Sequence, residues 1–533
     1  MITATLKNTT TLGNRPGAGA PLTNTTTLGN GPGAAAPVEA SELAPRPVSP
    51  VNRRDGADSS GRAEPRGYSW MTAVLVPALA SCAIGPSHRT PQLDLAPAFH
   101  EAAGTVNGSA ATAPPGAFWA ALGDATLERL VGQAVSANPD IRIAEARVRG
   151  ARAARLNATL DLVPTVTVVG GYTRQRLPSV VFPGATGTLP DQSIWDAGLE
   201  LSWELDLYGR LRRSVQGQRA LVASAEEDLR DVQVLLAAEL ANAYYEMRGA
   251  ENRLATAQQN ADNQRRTLAL TEERLAAGRG NAFDTERARA LWNSTLAVIP
   301  PLEAAIATAQ YRISVLLGRP PEVVVPEVAA GAAAPVLPDT LLVPSPDSVV
   351  RQRPDVRSAE RQLAFRTAQV GVATADYLPR VQIGGAVGLT SATAGTLGDE
   401  GTRRYAVGPV ISWPGLNLGR VKASVDAAKA GEAEARARYD LVVLRALEEV
   451  ETSLVTYRKA QERLARLEDA AAASERAAEL ARLRFREGAS DFLQVLDAER
   501  TLLELQDRLA LGRTDANTSL IGVYRALGGN WPT

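Results

Sequence analysis

Residues 209–276 contain no proline, although the 533-residue chain has 33 of them. Apolar side chains recur at every seventh position through this stretch: Leu240, Met247, Leu254, Ala261, Leu268 and Leu275. Such a repeat keeps one seam of an α-helix against neighbouring helices. At about 1.5 Å per residue the helix is roughly 100 Å long. An ordinary globular core is not that deep, so an element of this length is built to span a distance. Composition agrees: aromatics are only 5% of residues, while Ala, Arg and Glu abound, which suits long packed helices.

The stretch occurs twice. Shifted by 210 positions, the seam reappears as Val450, Tyr457, Leu464, Ala471, Ala478 and Phe485. The same shift carries Trp203 to Trp413, Gly209 to Gly419, Arg210 to Arg420, Gly278 to Gly488 and Gly318 to Gly528. Upstream, Pro139-Asp140 matches Pro354-Asp355 and Pro164 matches Pro379, both at 215. Offsets held over so many landmarks mark an internal duplication, with one loop longer in one copy. The repeats are read as 124–318 and 347–529, with long helices over 209–276 and 418–487. Each long helix ends at a glycine, Gly278 or Gly488, as helix C-termini favour. Return helices follow from Asp284 and Asp491, the first interrupted by Pro300-Pro301. Between the repeats, 319–346 is a proline-rich connector with room for one short helix.

Strand signals are few. In 193–207, Trp195, Ala197, Leu199, Leu201, Trp203 and Leu205 alternate with polar or small residues. Tyr405, Val407, Pro409, Ile411 and Trp413 repeat the pattern within 403–413. Partner strands are expected at about 165–181 and 381–390. Strands of about ten residues with one apolar face and aromatic ends fit a membrane β-barrel, and Trp195, Trp203 and Trp413 are the interface aromatics. Four strands cannot close a barrel in lipid, where open edges are not tolerated. Copies of the chain must therefore pool strands, and three copies give about twelve. Pro409 lacks a ladder N–H, which suggests a local bulge.

The N-terminal region is of a different kind. Residues 1–61 are low-complexity, with Asn8-Thr-Thr-Thr-Leu-Gly-Asn14 repeated from Asn24 to Asn30, and are expected to be disordered. In 62–81, basic residues precede an apolar run and then small residues, the order of a secretory signal. It ends at Cys82, the sole cysteine, so no disulfide forms within the chain. Leu79-Ala80-Ser81-Cys82 resembles a bacterial lipobox, in which the cysteine is acylated and becomes the mature N-terminus. Residues 82–123 then read as lipid anchor and Pro/Ala tether, and Ala83 resembles the residue that sorts such lipoproteins to the outer membrane.

Exclusions narrow the function. Net charge is −1, which recruits no nucleic acid. Two histidines and one cysteine do not make a metal site, so neither metal nor cofactor is expected. There is no nucleophile elbow or phosphate loop, so an enzyme is not expected.

The duplicated helix–strand–strand–long helix–return helix order, the turn Trp203-Glu-Leu-Asp-Leu-Tyr-Gly-Arg210 and the segment Val495-Leu-Asp-Ala-Glu-Arg500 resemble the TolC-like outer membrane efflux protein family. With the lipobox, the chain resembles the OprM/NodT-type lipoproteins of resistance-nodulation-division pumps. The resemblance implies a mainly α fold with a membrane β-barrel: a homotrimer whose twelve-stranded barrel in outer-membrane lipid continues into a twelve-helix periplasmic α-barrel. It implies a passive exit duct working with a periplasmic adaptor and an inner-membrane transporter. It also implies adaptor contact at the hairpin tips, on Arg274, Leu275, Gly278, Arg484, Phe485, Gly488 and Ser490. An acidic periplasmic gate is implied at Asp284 and Asp497, taken as matching positions, with Gln494 where relatives carry a second acid. The alternatives are a duct for type I protein secretion, with the same fold, and a coiled-coil scaffold outside membranes; exposed apolar strand faces argue against the scaffold.

Overall fold

A computed structural model describes residues 83–102, 118–119, 122–178, 187–328 and 343–529, all within one compact unit, Tyr68–Thr533. The expectations for 1–61, 62–81, Cys82, 103–117 and connector residues 329–342 lie outside the described residues. The first repeat runs α1 (Ala125–Ala137), α2 (Pro139–Leu160), β1 (Thr165–Gln175), β2 (Gln192–Leu205), α3 (Arg210–Ala276), α4 (Ala282–Leu296) and α5 (Ile299–Leu316). A short α6 (Pro321–Val328) follows. The second repeat runs α7 (Pro346–Gln352), α8 (Pro354–Ala375), β3 (Arg380–Ser391), β4 (Arg403–Ser412), α9 (Leu418–Arg486) and α10 (Phe492–Ala526).

The two long helices, α3 and α9, have 67 and 69 residues. They run past two tiers of shorter helices. On the sheet side the lateral order is α2, α3, α8, α9; on the far side it is α4 and α5, then α3, α10 and α9. Pro300 and Pro301 sit in the first turn of α5, where missing N–H groups cost nothing, so the return helix of repeat 1 is two pieces. Its counterpart α10 lacks those prolines and runs unbroken for 35 residues.

Where the tiers meet, each repeat closes the same joint with a different side chain. Asn138 Nδ2 donates to Leu316 O at 2.7 Å. At the equivalent place Arg353 Nη1 donates to Ala526 O, also at 2.7 Å. Arg353 further binds Asp355 and Glu449, at 2.8 Å each. Nearby on α3, burial and then the charge of Asp355 push the Asp231 carboxyl up to about 6. The main core lies at this level. It contains Leu240, Tyr244 and Met247 of α3, Val450 and Tyr457 of α9, and Ile521 and Tyr524 of α10. Phe118 stacks on Tyr524 at 4.4 Å.

Residues 83–102 are not a loose tether. Ile84 N donates to Tyr208 O at 3.1 Å, beside the sheet. The buried Arg213 donates to Gly85 O at 2.9 Å and to Ile84 O at 3.2 Å. Thr90 Oγ1 donates to Glu360 at 2.7 Å, and the backbone N–H groups of His100 and Glu101 donate to Glu451 at 2.7 and 2.9 Å. The composition that read as a tether instead builds a docked strap across α3, α8 and α9. A guanidinium taken out of water needs acceptors, and the strap's carbonyls supply them.

The four strands form one antiparallel sheet in the order β1-β2-β3-β4, so the repeats join through β2 and β3. Leu199, for example, faces Val168 on one side and Val387 on the other. The register of β4 on β3 is unbroken from Arg380↔Ser412 to Leu389↔Arg403, with Pro409 opposite Ile383. The bulge expected at Pro409 is absent. β4 is an edge of the protomer's sheet.

Candidate functional site

The sheet presents one continuous apolar face. Val166, Val168 and Tyr172 of β1 line up with Leu201, Leu199 and Trp195 of β2. Val381, Ile383 and Val387 of β3 extend the face to Ile411, Pro409 and Tyr405 of β4. Much of it is open: Val168 is 81% exposed and Tyr405 86%. The opposite face is small and polar. There Gly198 faces Gly388 so closely that a Cβ on Gly198 would lie 2.6 Å from Val387 O. Thr390 Oγ1 donates to Asp196 at 2.6 Å on that same side.

The aromatic residues mark both ends of the apolar band. Trp195 packs on Tyr172 at 4.6 Å at one end. At the other, Trp203 and Trp413 each donate Nε1 to a carbonyl that follows the preceding helix, Leu162 O and Tyr377 O, both at 3.0 Å. The eight steps from Trp195 to Trp203 span about 27 Å along the strand, comparable to the apolar band of about 25 Å in membrane barrels. The arrangement can hold a wall in lipid with a polar interior.

About 100 Å away along α3 and α9 lie the hairpin tips. Both turn with the same hydrogen bonds: Arg279 N to Arg274 O and Ala489 N to Arg484 O, each 2.8 Å. Gly278 and Gly488 take φ of +69° and +72°, which an L side chain resists. The next helices start on matched caps. Asp284 N donates to Asn281 Oδ1 at 2.8 Å, and Asn281 Nδ2 returns a bond to Asp284 Oδ2 at 2.9 Å. Asp491 caps Gln494 N at 3.2 Å.

These caps correct one expectation. At the repeat offset the partner of Asp284 is Gln494, and Asp497 falls opposite Arg287, so Asp284 and Asp497 are not matching positions. Asp284 is engaged with its own cap, whereas Asp497 is exposed on α10. Phe485 is largely covered. It is 8% exposed, with Phe492 at 5.3 Å and the Arg274 guanidinium 4.1 Å above its ring. Its ring packs between the two tips. Leu275, Gly278, Arg484 and Gly488 are exposed, and Arg274 and Ser490 are half-buried.

The sequence reading passed over Glu499. It is 3% exposed and accepts from Arg482 Nε at 3.0 Å and from Thr267 Oγ1 at 3.4 Å. It thereby links α10 to α9 and across to α3, beside a recess of about 840 Å³ lined by Asn263, Thr267, Arg482 and Phe485. A glutamate amid Val495, Leu496 and Leu502 on the buried stripe of α10 was the available signal.

Known proteins share this architecture. Nodulation protein T of Rhizobium leguminosarum bv. trifolii is 30% identical over 440 residues, 81% of this chain and 91% of that protein. Outer membrane protein OprJ of Pseudomonas aeruginosa is 29% identical over 467 residues, 86% of this chain and 96% of that one. The solved outer-membrane channel OprN superposes with a TM-score of 0.78 at 39% identity, covering 84% of this chain and all of that one. The profile described as "Outer membrane efflux protein" matches residues 130–319 and 346–529, the two repeats seen above. The chain belongs to the outer membrane efflux protein family.

Proposed function

We propose that this chain is the outer-membrane exit duct of a tripartite efflux pump, through which small molecules leave the periplasm passively. The observation that carries the reading is the four-stranded sheet, apolar on one face and open at both edges, joined directly to two helices of about 100 Å. An open edge in lipid strands its N–H and C=O groups. Three copies close a barrel of about twelve strands, and their helices continue it as a periplasmic tunnel. The duct does no chemistry. A periplasmic adaptor and an inner-membrane resistance-nodulation-division transporter deliver the cargo.

Residue roles follow from the placement. Cys82 precedes the strap, which starts beside Tyr208 at the base of the sheet, so acyl chains on Cys82 enter the bilayer next to the barrel wall. The exposed tip residues Leu275, Gly278, Arg484 and Gly488, with the half-buried Arg274, form the adaptor-facing rim. Asp497 supplies the gate carboxylate, and three of them in a narrow mouth raise the local negative potential and attract cations. Gln494 leaves its level of the mouth neutral. Opening swings α10 and the end of α9 away from α3, a shear of packed helices that breaks Thr267–Glu499.

The test is fractionation followed by planar-bilayer recording. Detergent-dependent outer-membrane material that runs as a trimer and conducts ions supports the duct. A water-soluble, non-conducting monomer without acyl chains overturns it.

A further inference from the structure

The protomer contains its own template for the contact between protomers. Repeat 1 meets repeat 2 internally where β2 and α3 lie against β3 and α8. In a closed ring of such units, repeat 2 must meet repeat 1 of the next copy, with β4 and α9 against β1 and α2. The equivalences are fixed by structure as well as sequence. α2 and α8 both have 22 residues and start 215 positions apart, and the Trp203–Leu162 and Trp413–Tyr377 bonds coincide at 3.0 Å.

We infer that the β4/α9 edge of one protomer seats on the β1/α2 edge of the next in the register of the internal junction, pairing Arg420 with Asp161 of the neighbouring copy. This rests on the trimeric duct reading and adds the identity of the contacts.

The charges argue for it first. Arg210 starts α3 and binds Glu204 in a fork, at 2.9 and 2.7 Å. In repeat 2 the matching arginine is Arg420, but Glu204 is replaced by Pro414 and Asp206 by Leu416. At the end of α8, Asp376 is held by Arg380 at 2.6 Å. In repeat 1 the matching acid is Asp161, and Arg380 is replaced by Thr165. Each edge has thus lost one member of a local pair. The losses are complementary, leaving an exposed cation on one edge and an exposed anion on the other. Internally, Arg210 also feels the charge of Asp376, the relation that Arg420 and Asp161 would repeat between copies.

Shape agrees. α8 buries Ser358 and Ala375 in the protomer. Their equivalents on α2 are Ile143 and Leu160, 49% and 53% exposed. Internally the large Arg213 lies over Gly371. At the outer edge the sizes are exchanged, with Leu156 on α2 and Ala423 on α9. Parity agrees as well. Transferring the β2–β3 register places Trp413 opposite Val168 and Ile411 opposite Gly170, which keeps the apolar faces of both strands on one side. A slip of one residue would turn the apolar face of one copy inward.

The test uses the full-length protein extracted from outer membranes. Gly170→Cys/Ile411→Cys should form reducible covalent trimers, because directly opposed residues lie about 5 Å apart. Gly170→Cys/Val407→Cys, about 13 Å out of register, should form none. Asp161→Arg alone should lower the thermal midpoint of trimer dissociation by several degrees, and adding Arg420→Asp should restore most of it. A native trimer that cross-links only out of register, or that shows no rescue by the double reversal, overturns the pairing and leaves the duct standing. Absence of any trimer in the unmodified protein overturns the duct reading itself.

Discussion

Glu499 ties α10 to α9 and α3 near the hairpin tips. Its carboxylate is buried, yet Arg482 remains about one-third exposed, so the pair stabilises by about 1 kcal/mol once solvent screening is counted. Glu499→Gln keeps the volume and removes the charge. We expect it to raise single-channel conductance, with a smaller rise for Thr267→Val; unchanged conductance in both would retire the link. Asp497→Ala should weaken block by divalent cations while shifting stability by less than about 0.5 kcal/mol, as for other exposed sites. Unaltered block would remove Asp497 from the mouth. Asp284→Ala acts differently: it removes the bond from Asn281 Nδ2 and a favourable first-turn charge, about 0.5 kcal/mol, while the cap from Asp284 N to Asn281 Oδ1 stays. That Asp284 begins a helix was legible in the sequence, since the return helix is read from it. The burial of Phe485 was not, because its cover comes from Arg274, 211 positions away across the hairpins.

At the level of elements, the duplicated joint is the informative comparison. Both repeats stack a sheet-side helix on a return helix, but Asn138 closes one joint with a neutral amide and Arg353 the other with a buried cation. Asn138→Ala forfeits two hydrogen bonds, Nδ2 to Leu316 O and the helix cap accepted from Asp140 N, about 2 kcal/mol together. Arg353→Ala leaves Asp355 and Glu449 facing each other, and about 3–5 kcal/mol is expected. Chemical denaturation reads both. Asp231 adds a pH dependence to this joint. Burial raises its pKa from the ordinary 3.8 to about 6, so the folded chain binds the extra proton between those values. Stability contributed there is present below pH 4 and lost as pH rises through 6. Asp231→Asn should therefore stabilise by about 1 kcal/mol at pH 8, discounted for solvent contact, with the gain fading towards pH 4. A gain that does not vary with pH would reject the assignment. The long helices and strands were readable because heptad and two-residue periods survive without tertiary context. The joints were not, since Asn138 and Arg353 act through carbonyls 178 and 173 positions away.

For the whole molecule, the strap is what composition concealed. A Pro/Ala-rich stretch reads as a tether because nothing local orders it, and its order comes from Arg213, Glu360 and Glu451 on three different helices. Hydrogen exchange should find amides in 210–230 and 418–450 well protected, and those in 262–296 and 476–500 exchanging faster. Equal protection in both zones would contradict this division. The consequence is mechanical. A band laced across α3, α8 and α9 from Tyr208 down to Glu451 ties these three helices of the protomer into one unit, which cannot spread without releasing its own N-terminal segment. Within the protomer the unstrapped lengths of α3 and α9 beyond Glu451 are left to bend, so a displacement of the hairpin tips works as a lever against the strapped ends above.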